Sequence, residues 1–201
     1  MSSGNPEPTT ALSPKQAEIL QCALVLLRET GDAGLTMRKL AERANMRLSN
    51  VQYYFPSKAN VLNAMVTVYF QECTQSVAEL TANTGGATLR ERMGYLIELG
   101  LSHGASISDM CKIFREIWAI SSRNPAVHAC LMDYYRDFAD TVIAYLDVPD
   151  VNEKQIDALV SLLVPYFEGY SVTAPALALP ASDVQGMLTH LAMKIVSPDA
   201  P

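Results

Sequence analysis

Ser49, Asn50, Gln52 and Tyr53 crowd into one short stretch, and all four are side chains that read nucleic acid. Asn and Gln carry a donor and an acceptor side by side and match the major-groove edge of adenine. Ser and Tyr hydroxyls reach bases or phosphates. Val51 and Phe55 stand four residues apart, so a helix through them turns one face inward and leaves the polar four outside. Arg38, Arg47 and Lys58 flank the stretch with positive charge.

Such a face needs a short helix held by others, and the flanking sequence predicts this. Ser13-Pro14-Lys15-Gln16 is a capping signature with proline at the first helical position. Apolar residues then recur at helical spacing to Thr30, and Gly31 and Gly34 end the helix. Thr36 caps a second helix running to Ala44. Asn45-Met46 reads as a turn because Asn tolerates a left-handed backbone. A third helix covers 48–54, and Phe55-Pro56 stops it. Small Ala41 lets the second and third helices approach. Leu40 and Ala44 face the first helix, and Met46 fills the turn's buried position. Together these are a helix-turn-helix pattern.

Ser57 caps a long helix to about Ala82, and Asn83-Thr84-Gly85-Gly86 breaks it. Thr88-x-x-Glu91 opens a helix to about His103, with Gly104 and Ser106 as punctuation. Further helices span 107–122, 124–146 (from Asn124-Pro125), 153–173 (from Asn152-x-x-Gln155) and 182–196 (from Ser182-x-x-Gln185). Pro165 predicts a kink, and Pro175 and Pro180 bracket a loop. Strand alternation is absent. The fold class is all-α with about nine helices. A flexible arm covers 1–12, a helix-turn-helix domain 13–60, and a larger helical domain 61–201.

Composition narrows the function classes. The chain has 201 residues, 49% hydrophobic and 18% charged, which excludes wholesale disorder. No apolar run is long enough for a membrane span, and the N-terminal stretch lacks the basic and apolar regions of a signal peptide. The net charge of −6 is uneven: residues 1–60 carry +2, residues 61–201 carry −8, and 35–60 alone carry +4. A polyanion contact at one end fits this, as do arginines and lysines that merely solvate short helices. Cys22, Cys73, Cys111 and Cys130 form no metal-ligand spacing. They fit a reduced, cytoplasmic setting as small helix-facing hydrophobes, with a redox sensor as the alternative. His103, His128 and His190 stand far apart, so no metal site is expected. No nucleophile elbow, phosphate loop or catalytic cluster is present, so no enzyme and no cofactor are expected.

The run Gly34-Leu35-Thr36-Met37-Arg38-Lys39-Leu40-Ala41-Glu42-Arg43-Ala44, then Val51-Gln52-Tyr53-Tyr54-Phe55-Pro56-Ser57-Lys58 and Leu62, resembles the TetR family of bacterial transcriptional regulators. The likeness covers about 15–65. It implies an N-terminal DNA-binding domain, a divergent ligand-binding domain and a homodimer. By position it implies that Thr36 and Arg38 touch the phosphate backbone. Leu48, Ser49, Asn50, Gln52 and Tyr53 would form the recognition surface, and Tyr53, Tyr54 and Lys58 would grip phosphates. Three positions depart from the pattern. Asn45 replaces a turn glycine, Arg47 replaces a capping serine, and Gln52 stands where tyrosine is frequent. Arg47 weakens the cap by about 1 kcal/mol and adds a phosphate contact.

Met93, Leu96, Leu99, His103, Met110, Phe114, Trp118, Tyr134, Tyr135, Phe138, Tyr166, Phe167 and Tyr170 are candidate inward faces of the larger domain. They fit either ordinary core or the wall of an effector cavity with a few polar handles. Few inward charges are evident, which favours a largely apolar or aromatic effector, and Arg115 and Glu116 are expected to be solvated. Ile156, Leu159, Val160, Leu163 and Phe167, with Val184, Met187, Leu188, Leu191 and Ile195, form stripes on the last two long helices. With Ala158, Gly169 and Ala192 permitting close approach, they suit a four-helix dimer interface or packing within one subunit. The sequence thus predicts a homodimeric repressor, released from a palindromic double-stranded DNA operator by a small-molecule effector. The alternative is an all-α small-molecule-binding or adaptor protein with a vestigial helix-turn-helix.

Overall fold

Helix-ending chemistry within three or four residues sets most of the boundaries. The computed structural model describes residues 12–81, 87–105, 109–149 and 151–197. Among these residues nine α-helices and no strand occur. The order is α1 Pro14–Gly34, α2 Met37–Arg43, α3 Leu48–Tyr54, α4 Lys58–Thr81, α5 Leu89–Ala105, α6 Asp109–Ser121, α7 Pro125–Leu146, α8 Glu153–Thr173 and α9 Ala181–Val196. A single 3-10 turn, Ala174–Ala176, follows α8.

Ser13 and Gln16 form the reciprocal cap of α1. Its regular part ends at Gly31, whose φ of 67° needs a residue without a Cβ. Thr36 accepts from the Lys39 amide at 3.3 Å and starts α2. Asn45 takes φ 51° between α2 and α3. Ser57 Oγ accepts from the Asn60 amide at 3.3 Å and starts α4. Thr88 with Glu91, Asn124 with the amides of Ala126 and Val127, and Asn152 with Gln155 cap α5, α7 and α8.

Three expectations need correction. The pair Ser182 and Gln185 does not cap α9. Pro180 takes the cap position, Ser182 falls inside the first turn, and Gln185 Nε2 donates to the Gly94 carbonyl at 2.9 Å. The tertiary bond to α5 wins over the local one. Gly104 does not end α5, which continues to Ala105. Met46 is half-buried rather than buried. α8 runs unbroken through Pro165, and the break at 83–86 and Ser106 lie outside the described residues.

The chain divides into two compact units, Met1–Met65 and Val66–Pro201, and α4 supplies residues to both. In the first, Ile19, Leu20, Ala23 and Leu27 of α1, Leu40 and Ala41 of α2, Val51 and Phe55 at α3, and Val61 and Leu62 of α4 are buried. Ala44 is buried as well. In the second, Met93, Leu96, Ile97 and Leu101 of α5 pack with Leu159, Leu163 and Phe167 of α8 and Val184, Leu188 and Ala192 of α9. Gly100 makes this packing possible, because a Cβ there would stand 2.6 Å from the Phe167 ring.

Candidate functional site

The outer face of α3 is built from the inside. Val51 is fully buried and Phe55 nearly so, which fixes the rotation of a seven-residue helix. Ser49, Asn50, Gln52 and Tyr53 are consequently exposed, Tyr53 to 82%. Its ring meets Tyr54 edge-on with centroids 5.2 Å apart, and Tyr54 and Leu48 are half-buried. Tyr53 thus presents its ring and hydroxyl to solvent beside the three shorter polar side chains.

Cations border that face. Arg38 and Lys39 of α2 and Arg47 before α3 are exposed, and none is held in an ion pair among the described residues. Thr36 is exposed beside them. Arg47 occupies the cap position of α3 without a side-chain cap bond, so its guanidinium stays available. Arg43 serves structure instead: it clamps Glu29 of α1 with contacts of 2.7 and 3.1 Å. Lys58 is also engaged, with Nζ 2.8 Å from the Asp32 carboxylate and 2.5 Å from the Asp32 carbonyl oxygen.

The candidate effector residues of the second unit separate into groups. Met93, Leu96, Phe167 and Tyr170 are buried in the core of α5, α8 and α9, with Phe138 and Tyr166 packed against it. Phe114 and Tyr134 join Tyr69 and Phe70 of α4 in an aromatic cluster, where Phe70 and Tyr134 stack at 4.3 Å. Trp118 sits at the surface, 37% exposed, and its Nε1 donates to Tyr135 Oη at 2.8 Å. The side chains of His103 and Met110 lie outside the described residues.

A groove of about 430 Å³ runs between α4 and α7, lined by Phe70, Gln71, Gln75, Asp133, Tyr134 and Asp137 among others. Cys130 lines it too, its Sγ 3.5 Å from Thr67 Oγ1. Cys22, Cys73 and Cys130 are free thiols. Burial raises the Cys22 thiol and pushes Cys73 up to about 11, the opposite of an activated thiolate. No metal-binding group of His, Cys, Asp or Glu occurs among the described residues. No helix among them is long and apolar enough to cross a membrane.

Against expectation, Arg115 and Glu116 are half-buried rather than solvated. Glu168 of α8 turns inward, and burial pushes its carboxyl up to about 7, opposed by a hydrogen bond from the Tyr135 hydroxyl. Arg115 Nη2 donates to the Ser171 carbonyl at 3.0 Å. Both were missed because neighbouring residues gave no local partner. No local sequence pattern marks either of them.

Residues 19–65 match the family of bacterial regulatory proteins described as the tetR family. The HTH-type transcriptional regulator in dhlA 5'region of Xanthobacter autotrophicus is 42% identical over 189 residues, 94% of each chain. The Salmonella enterica GusR structure superposes with a TM-score of 0.69 at 21% identity, covering 92% of this chain and 97% of that one. A multidrug binding protein, EbrR, solved with ethidium, gives a TM-score of 0.65 at 18% identity, covering 88% of this chain and 98% of that one.

Proposed function

The chain belongs to the TetR family of bacterial regulatory proteins, a family of transcriptional regulators and not of enzymes, and from that premise we propose that it is a homodimeric, ligand-responsive repressor. Residues 13–60 bind the operator, and residues 61–201 bind the effector and dimerise in the cytoplasm. The observation that carries the reading is the α3 face. Ser49, Asn50, Gln52 and Tyr53 are exposed on a helix whose opposite side is buried, beside the unpaired cations Arg38 and Arg47. Two such helices, one per subunit, enter successive major grooves of a near-palindromic site. Gln52 and Asn50 read bases, with Leu48 and Ser49 beside them. Thr36, Arg38, Arg47, Tyr53, Tyr54 and Lys58 hold phosphates.

The dimer reading draws support from α8 and α9. Met187 and Leu191 are 57% and 48% exposed on α9. A Cβ added at Gly169 or Gly186 would meet nothing within 4 Å, so these glycines leave the outer face flat for a second copy. Ala192, by contrast, is fully buried within the subunit, as are Leu159 and Leu188 nearly so, and they belong to the core rather than to the stripe.

Effector response follows from two states with different affinities for the ligand. α4 contributes to both units, so an effector that prefers one arrangement of α4 against α7 changes the separation of the two heads. A small-molecule effector draws support from the structural neighbour EbrR, a multidrug binding protein solved with ethidium. The test is binding of the purified protein to its own upstream DNA across a salt series. Specific binding with a slope of about −0.9 per phosphate contact is expected, and Gln52→Ala relaxes base choice by about 1–3 kcal/mol at one position. Equal affinity for scrambled DNA refutes the operator reading and favours the adaptor alternative.

A further inference from the structure

The groove between α4 and α7 has a direction. At one place Thr67 Oγ1 lies 3.5 Å from Cys130 Sγ. One turn further along both helices, Phe70 stacks on Tyr134 with ring centroids 4.3 Å apart. The two helices therefore run parallel here, and the same register brings Thr74 and Gln75 of α4 level with Asp137 of α7. All of these residues line the groove, whose volume of about 430 Å³ suits a small molecule. One end is thus a thiol beside a hydroxyl, the middle is aromatic, and the far end holds a carboxylate. About 10 Å of helix separates Cys130 from Asp137.

Charge selects the occupant. No Lys, Arg or His lines the groove. From Val66 to Thr81, α4 carries Glu72 and Glu79 and no basic residue, and α7 carries Asp133, Asp137 and Asp140 against His128 and Arg136. Arg136 is taken by Asp133, which leaves Asp137 with no ion pair among the described residues. Gln75 gives an amide N–H to Glu79 at 2.8 Å, so its carbonyl oxygen remains an acceptor. Such walls repel anions and offer acceptors to an N–H donor. The floor of Phe70 and Tyr134 offers apolar surface to whatever is attached to that donor.

We propose that this groove seats an elongated organic monocation, its ammonium at Asp137 beside Thr74 and Gln75 and its apolar body over Phe70 and Tyr134 toward Cys130. The proposal rests on the reading of the second unit as an effector-binding body, and it names the ligand class: an amphiphilic amine in place of a purely apolar effector. Asp137 recognises the charge, and the aromatic floor recognises the body.

Three probes of one length separate charge from shape. 4-Phenylbutylammonium, 4-phenylbutan-1-ol and 4-phenylbutyrate are titrated into the full-length protein by calorimetry at low salt. Saturable binding of the ammonium is expected, with the alcohol about fivefold weaker, the scale of an exposed ion pair, and no binding of the carboxylate. Asp137→Asn lowers the ammonium to the level of the alcohol, and salt of about 0.5 M does the same. The ammonium also slows iodoacetamide alkylation of Cys130, read by peptide mass spectrometry, and leaves Cys22 unaffected. Equal binding of alcohol and ammonium, binding of the carboxylate, unchanged affinity in D137N, no saturable binding, or saturation without Cys130 protection overturns the proposal. Cys130 protection that follows protein concentration alone also overturns it, since a second copy then fills the groove. Should D137N fail to fold, the order of the three probes and the protection of Cys130 decide. Specific DNA binding without ammonium binding removes this inference alone, whereas ammonium binding without specific DNA binding removes the operator reading alone.

Discussion

The Lys58 ammonium lies 2.8 Å from the Asp32 carboxylate and 2.5 Å from the Asp32 carbonyl oxygen, so the cation assigned to phosphate already has an anionic partner inside its own unit. Asp32 follows Gly31, whose φ of 67° breaks α1 and sets this segment against the start of α4. A phosphate must therefore displace one carboxylate, and the contact yields less than a free lysine would.

Two substitutions separate the roles. Lys58→Ala weakens operator and scrambled DNA alike. Asp32→Asn releases Lys58, strengthens both, and steepens the salt slope by up to about 0.9. Fluorescence anisotropy at four salt concentrations measures both effects. An unchanged slope in D32N removes Lys58 from the phosphate contacts.

Arg47 trades helix stability for charge. It caps α3 without a side-chain bond, so Arg47→Ser adds a cap worth about 1 kcal/mol. Thermal unfolding shifts upward while DNA affinity falls. A variant that melts higher and binds DNA equally well denies Arg47 its phosphate.

Met187 and Leu191 are tested by charge. The double change Met187→Glu, Leu191→Glu keeps the helical circular dichroism, since both side chains are exposed, but yields monomers in sedimentation. A dimer that survives both glutamates places the interface elsewhere.

Gly100→Ala drives a Cβ into the Phe167 ring at 2.6 Å. Overpacking of this kind costs about 1–3 kcal/mol, read as a lowered denaturant midpoint with an unchanged slope. A midpoint equal to wild type means that α5 and α8 do not approach closely at this point.

Glu168 also links stability to pH. Its carboxyl is raised from the ordinary 4.5 to about 7 in the folded protein, so the native state holds a proton that the unfolded chain gives up earlier. Stability from this group is present below about pH 4.5, declines as pH rises to 7, and is lost above. Glu168→Gln removes the decline, so the variant matches wild type at pH 5 and exceeds it at pH 8. The shift sets a ceiling of about 3 kcal/mol at 1.36 kcal/mol per unit, lowered by the solvent that reaches a half-buried group. Parallel Tm profiles for the two proteins contradict the assignment.

The amino-acid order by itself determined where helices begin and turn, because those choices are settled by atoms three or four residues apart. The Ser13–Gln16, Thr88–Glu91 and Asn152–Gln155 caps and the left-handed Asn45 are of this kind. It also determined the exposed face of α3, since Val51 and Phe55 leave one rotation that buries both. Tertiary packing decided the rest. Gln185 left its local cap for Gly94, 91 residues away in sequence, and Arg115 found Ser171, 56 residues away. Trp118 of α6 met Tyr135 of α7 only because the two helices rotated into register. Such partnerships depend on helix–helix rotation, which the apolar stripe fixes only broadly, so no local pattern encodes which polar side chain is carried inward with it.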